Sequence, residues 1–144
     1  MSGAALVVIY GIALHLIWGI ILLVAGAQHT AGLSWAVDVM GGANAAGVIL
    51  IAAALAAMAG IKAKTISTKL GLLLWQQFIM TYAAGEALTC VVNGAYADGT
   101  VRPRMFILAD QVNLILPAIL HVIAVVVLVT EGVTMPWTRA RLRR

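Results

Sequence analysis

The last apolar stretch of the chain carries four side chains whose types and spacing could do chemistry together. Asp110, Asn113, Pro117 and His121 interrupt a run of Val, Leu, Ile and Ala, at steps of three, four and four residues. At about 100° per residue, these steps return to one helix face. Ala124 and Leu128 continue that face, while Val122, Val125, Val126 and Val129 fall on the side that lipid would accept. Polar groups in a membrane helix are costly and face a bundle interior or a wet cavity. Pro117 adds an acceptor to the line, because a proline nitrogen cannot donate to the carbonyl of Asn113 and its ring tends to bend the helix.

A second imidazole answers the first. His15 lies in the middle of the first apolar stretch, on a face of Gly3, Val7, Gly11 and Gly19 that Gly26 extends. Small residues on one face let another helix approach closely, so Gly11, Gly19 and Gly26 are expected at helix contacts, with His15 pointing inward among them. Two mid-depth histidines permit three kinds of chemistry. They could relay protons, serve as axial ligands of a haem b, or clasp two helices by hydrogen bonds. No Cys-x-x-Cys-His run offers covalent haem attachment, and His29, the remaining histidine, is in an outer loop. No metal site is expected, and haem on His15 and His121 stands as an alternative to a chain without cofactor.

The third apolar stretch supplies Glu86, the acid deepest in any of them. Trp75, Ile79, Tyr82, Glu86 and Cys90 recur at helical spacing and form one stripe, with Gln76 at its edge. Gln77 points about 100° away from Gln76, so a second subunit is expected to satisfy it. The groups line up as a ladder, Asp110, Glu86, Asn113, His121 and His15, with Gln76 carrying it inward: a candidate path for protons or cations. No serine with a suitable base, close pair of acids or nucleotide motif is present, so no enzymatic activity is expected.

The elements that must position these groups follow from composition. The chain has 144 residues, of which 63% are hydrophobic and 10% charged, far from the balance of a soluble domain. Apolar blocks cover roughly 4–26, 43–60, 70–92 and 106–130, and about 20 such residues cross the hydrocarbon core. Backbone groups cannot go unpaired in lipid, so each block is expected to be a helix. The second block is rich in alanine on every side and is expected at the centre. Ser67 reads as the cap of the third helix, and Asp98-Gly99 as a hairpin turn. Lone Cys90 excludes an internal disulfide.

Basic residues set the orientation. Lys62, Lys64 and Lys69 share one loop, and Arg139, Arg141, Arg143 and Arg144 lie in the tail 136–144. The positive-inside rule puts both on the cytoplasmic side. The expected fold is therefore an all-α membrane protein, a four-transmembrane-helix bundle in one domain with N-in/C-in topology in the plasma membrane. Its net charge of +4 reflects topology and a tail near anionic headgroups, with no nucleic-acid partner. Ala25-Gly26-Ala27 has the form of a cleavage site, but the preceding segment lacks a basic start and its apolar run is too long, so residues 1–27 are expected to remain. The leading functional expectation is a homo-oligomer, or a subunit among other membrane proteins, with a polar path for protons or cations. An anchor subunit, a bis-His cytochrome and a lysis pore are the alternatives.

Overall fold

The computed structural model describes residues 2–26 and 34–141. Its helices are α1 (Gly3–Ala25), α2 (Ser34–Val39), α3 (Ala43–Lys62), α4 (Ile66–Asn93) and α5 (Arg104–Arg141). Among the described residues there is no strand, and one isolated bridge joins Ala95 to Val101. Three helices are long and apolar enough to cross a membrane: α1, α3 and the Arg104–Glu131 part of α5. In α4 the length suffices, and Gln76, Gln77 and Glu86 dilute the apolar content.

The four long helices form a ring, with α1 and α4 each packed between α3 and α5. Neighbours run antiparallel. Gly19 and Leu23 of α1 meet Gly47 of α3, Gly60 of α3 meets Leu72 and Leu73 of α4, and Gly11 of α1 meets His121 of α5. One end of the ring thus gathers the start of α1, the α3–α4 loop with its lysines, and the far part of α5. Ala5, Val8, Ile12, Ala54, Ala57, Leu73, Ala124, Val125 and Leu128 form a buried apolar cluster at that end. Val125 therefore faces the core, not lipid.

Alanine-rich α3 is not central. Ala46, Gly47, Ala53, Ala54, Ala57 and Gly60 make one buried face, and Val48, Leu55 and Met58 are exposed. Small size explains the difference: a row of alanines and glycines brings α1 and α4 close on one side without requiring neighbours all round. The contact with α1 is tightest at Gly19 and Gly47, where a Cβ on Gly47 would lie 2.9 Å from the Gly19 carbonyl oxygen. Gly26 packs against none of the described helices. It stops α1 at φ 69°, and among the described residues no atom lies within 4 Å of a Cβ placed there.

The cap of α4 is Thr65, not Ser67, because its hydroxyl accepts from the Thr68 N–H and helix begins at once with Ile66. The α4–α5 connection is a short hairpin. The Tyr96 N–H donates to the Thr100 carbonyl, and Gly99 at φ 83° closes the turn with its N–H on the Tyr96 carbonyl. Asp98 accepts from the Thr100 N–H at 2.9 Å. The helix α5 continues past the expected 130 into the basic segment. The side chains of Trp35, Pro136 and Trp137, the arginines from Arg139 onward, and His29 lie outside the described residues, as does Ala27.

Candidate functional site: a buried histidine between two glutamines

His121 is fully buried where α5, α4 and α1 meet. Its Nδ1 lies 2.6 Å from Gln77 Oε1 and its Nε2 lies 2.8 Å from Gln76 Oε1. The Gln77 amide is fixed by its other end, whose Nε2 donates to Thr81 Oγ1 at 2.8 Å and to the Ala118 carbonyl at 3.4 Å. Gln77 Oε1 is therefore an acceptor, and Nδ1 carries the proton. At Nε2 two arrangements satisfy the geometry. Either the ring holds a second proton between two carbonyl oxygens, or the Gln76 amide is turned over and donates to a bare Nε2. Oxygen and nitrogen of an amide are assigned from such networks, and as placed Gln76 Nε2 has no partner among the described residues. The two proton states of the cluster thus differ by one amide rotation.

Helix α1 closes over this group. A Cβ on Gly11 would stand 3.0 Å from Gln76 Nε2 and 3.2 Å from His121 Cδ2, so glycine lets α1 lie this close without pushing on either side chain. One turn along, His15 Nδ1 donates to the Gly11 carbonyl at 2.9 Å. A carbonyl can only accept, so Nδ1 bears the hydrogen and Nε2 of the neutral ring is an acceptor. That Nε2 is buried and has no partner among the described residues.

His15 lines a cavity of about 80 Å³. Trp18 and Leu22 of α1, Val37 and Met40 at α2, Ala46 of α3, Met80 and Ala83 of α4, and Asn113 and Pro117 of α5 are among its walls. It sits on the hairpin side of the His121 cluster. On the other side lies the apolar cluster of Val8, Ile12, Ala54, Leu73 and Ala124, which carries no polar side chain.

The expected ladder is only partly assembled. His15, His121 and Gln76 converge, and Glu86 is buried further along α4. Asp110 and Asn113 do not face the interior: both are exposed. Asp110 instead accepts from the Tyr96 hydroxyl of the hairpin, and Asn113 reaches only the cavity wall. The buried polar residue at that level is Gln111, one residue away and about 100° round the helix. The repeat Ile107, Gln111, Ala118, His121, Val125, Leu128 marks the true inner face. Gln77, expected to need a second subunit, finds its partners within the chain.

A haem does not fit between the histidines. Both His121 nitrogens are engaged by amides, and α1 packs directly on the ring where a macrocycle would have to enter. Among the described residues, no three His, Cys, Asp or Glu side chains converge for a metal ion.

The hairpin carries its own electrostatics. Hydrogen bonding to the Asp110 carboxylate holds the Tyr96 hydroxyl above its ordinary range. The Thr100 backbone N–H, by favouring the charged form, holds Asp98 below the usual carboxylate range.

Comparison with family models, with curated proteins and with solved structures finds no match for this chain.

Proposed function

We propose that the chain is a small integral membrane protein of four spans with both termini cytoplasmic, acting as a non-enzymatic, non-conducting binding module. The observation that carries this reading is the one-sidedness of its interior. Among the described residues, buried polar side chains end at His121, and the core beyond it toward the lysine-bearing end is apolar. A proton or cation entering from the hairpin side would meet several turns without a hydrogen-bond partner, so the polar groups do not make a through path. What the interior does offer is a cavity beside a histidine acceptor.

The fourth span is α4. Its polar residues Gln76, Gln77 and Glu86 are all buried, while Leu74, Trp75, Phe78, Leu88 and Val92 are exposed, Phe78 by 71%. That surface suits lipid, and 28 residues reach about 42 Å, enough to cross. The lysines beside α3 and α4 set the cytoplasmic side.

Substituted-cysteine accessibility in a Cys90→Ser background tests the reading in sealed cells. Asp98→Cys should react with a membrane-impermeant maleimide from outside, and Lys64→Cys only after permeabilisation. Ala124→Cys should stay unreactive from both sides. A reactive Ala124→Cys would mean that water reaches the apolar end, and the non-conducting reading would fall.

A further inference from the structure

Resting on the binding-module reading above, we infer that the cavity beside His15 takes a membrane-dissolved apolar alcohol or phenol, with its hydroxyl donating to His15 Nε2. Three observations lead there. The walls are almost wholly apolar: Leu14, Trp18, Leu22, Met40, Leu50 and Met80 are typical. A ligand that fills the space must therefore have a hydrocarbon body.

The polar side chains on the wall are Asn113, which is exposed, and His15, which is buried and whose remaining nitrogen is defined chemically. With Nδ1–H committed to the Gly11 carbonyl, Nε2 can only accept. It is buried, with almost no surface open to the cavity and no partner among the described residues; a hydroxyl donor would relieve that state and reaches it once the apolar wall gives by a small movement. A ketone, ether or ester presents an acceptor to this acceptor and gains nothing. A hydroxyl supplies the missing hydrogen.

Size and position complete the description. A volume of about 80 Å³ holds a hydroxyl-bearing head, not a whole lipid, since a dry cavity of about 150 Å³ accommodates one benzene. The cavity is partly open to the outside, so the rest of the molecule would leave by that side. Water in the membrane core is scarce, and the surroundings of the bundle are lipid, so the membrane is the source of the ligand.

Photolabelling tests the inference in vesicles that contain the purified full chain. Three linear probes carry the same diazirine and differ only at one end: an alcohol, the matching ketone and the matching hydrocarbon. The alcohol is expected to label cavity residues such as Trp18, Met40 or Met80, in competition with the unlabelled alcohol. The ketone should label them roughly fivefold less, the ratio that one net hydrogen bond gives. His15→Phe should remove the preference for alcohol over hydrocarbon. Because that variant could misfold, Ala83→Trp provides a second one: it blocks the cavity from α4 with His15 intact and should abolish labelling by all three probes. Equal labelling by alcohol and hydrocarbon in the wild type would overturn the hydroxyl contact while leaving a binding cavity. A preference for ketone would show that Nε2 carries a proton, and would also overturn the inference. Absence of labelling by any probe would remove the binding module itself.

Discussion

His121 organises three helices through two amides that are not equivalent. Gln77 contributes an acceptor to His121 and two donated hydrogen bonds, to Thr81 and Ala118, whereas Gln76 contributes one contact and leaves its nitrogen without a protein partner. Removing one partner of a buried pair costs about 1–3 kcal/mol, although coupling between membrane side chains averages only about 0.6 kcal/mol. Gln77→Leu should therefore destabilise the protein clearly more than Gln76→Leu, since the second substitution also removes a buried amide nitrogen that has nothing to bond. Unfolding of both variants in detergent titrations checks the order, and a larger loss for Gln76→Leu would contradict the assignment of the amides. At this scale the sequence was legible where type and depth coincide. His15 and His121 lie inside because mid-span imidazoles have no alternative. Gln76 is inside as its place at the edge of the stripe implies, whereas Gln77 needs no second subunit, because an imidazole presents a nitrogen on two of its edges and reaches both amides. Asp110 was misjudged for a related reason. A polar residue near a helix end can leave the interior for the headgroup region, so the polar stripe and the inner face differ by one position, and Gln111 was hidden in that shift.

Between elements, close approach is the main device. A Cβ on Gly19 would lie 2.7 Å from Ile51 Cγ1 and 3.0 Å from the Gly47 carbonyl oxygen. The side chain can move and the backbone oxygen cannot. Gly47→Leu should therefore force α1 and α3 apart and cost about 1–3 kcal/mol, as overpacking does. Gly85→Ala, with no atom within 4 Å of its Cβ position, should be neutral or gain about 0.5–1 kcal/mol from helix propensity. Thermal unfolding in detergent separates the two outcomes. The hairpin makes a second prediction, on pH. The folded-state value for Tyr96 is raised, so the Tyr96–Asp110 contribution is present below about pH 10 and is lost as the pH climbs through the raised value. Asp98 has the opposite sign: its contribution is present above about pH 4 and is lost as the pH falls through the lowered value. In a Tyr10→Phe, Tyr82→Phe background, ultraviolet titration should show Tyr96 ionising above free tyrosine, and Asp110→Asn should bring it down. No change on Asp110→Asn would remove the carboxylate as the cause. Both the turn at Asp98-Gly99 and the close face of Gly11 and Gly19 were legible, since each rests on residues with few other uses. Gly26 shares that spacing and has another role, because glycine serves equally well as a helix stop at positive φ.

For the whole molecule, the sequence carries length, apolarity and the segregation of lysines, and these define the helices and bring the basic loop and the far end of α5 together. The closed end of the bundle was not legible. Val8, Ile12, Ala54, Leu73 and Ala124 are the same residue types that are exposed elsewhere on the helices, and only the mutual packing of four helices turns them inward. The polar residues therefore suggested a path, whereas their arrangement ends at His121. Proton flux into voltage-clamped liposomes containing the purified protein tests this most directly, with wild type beside Ala124→Asp. The account predicts that wild-type vesicles hold a pH gradient as well as protein-free ones, and that a polar group in the apolar end is needed before any leak appears. A wild-type flux that disappears in His121→Leu would contradict it and make the buried histidine part of a conduction path.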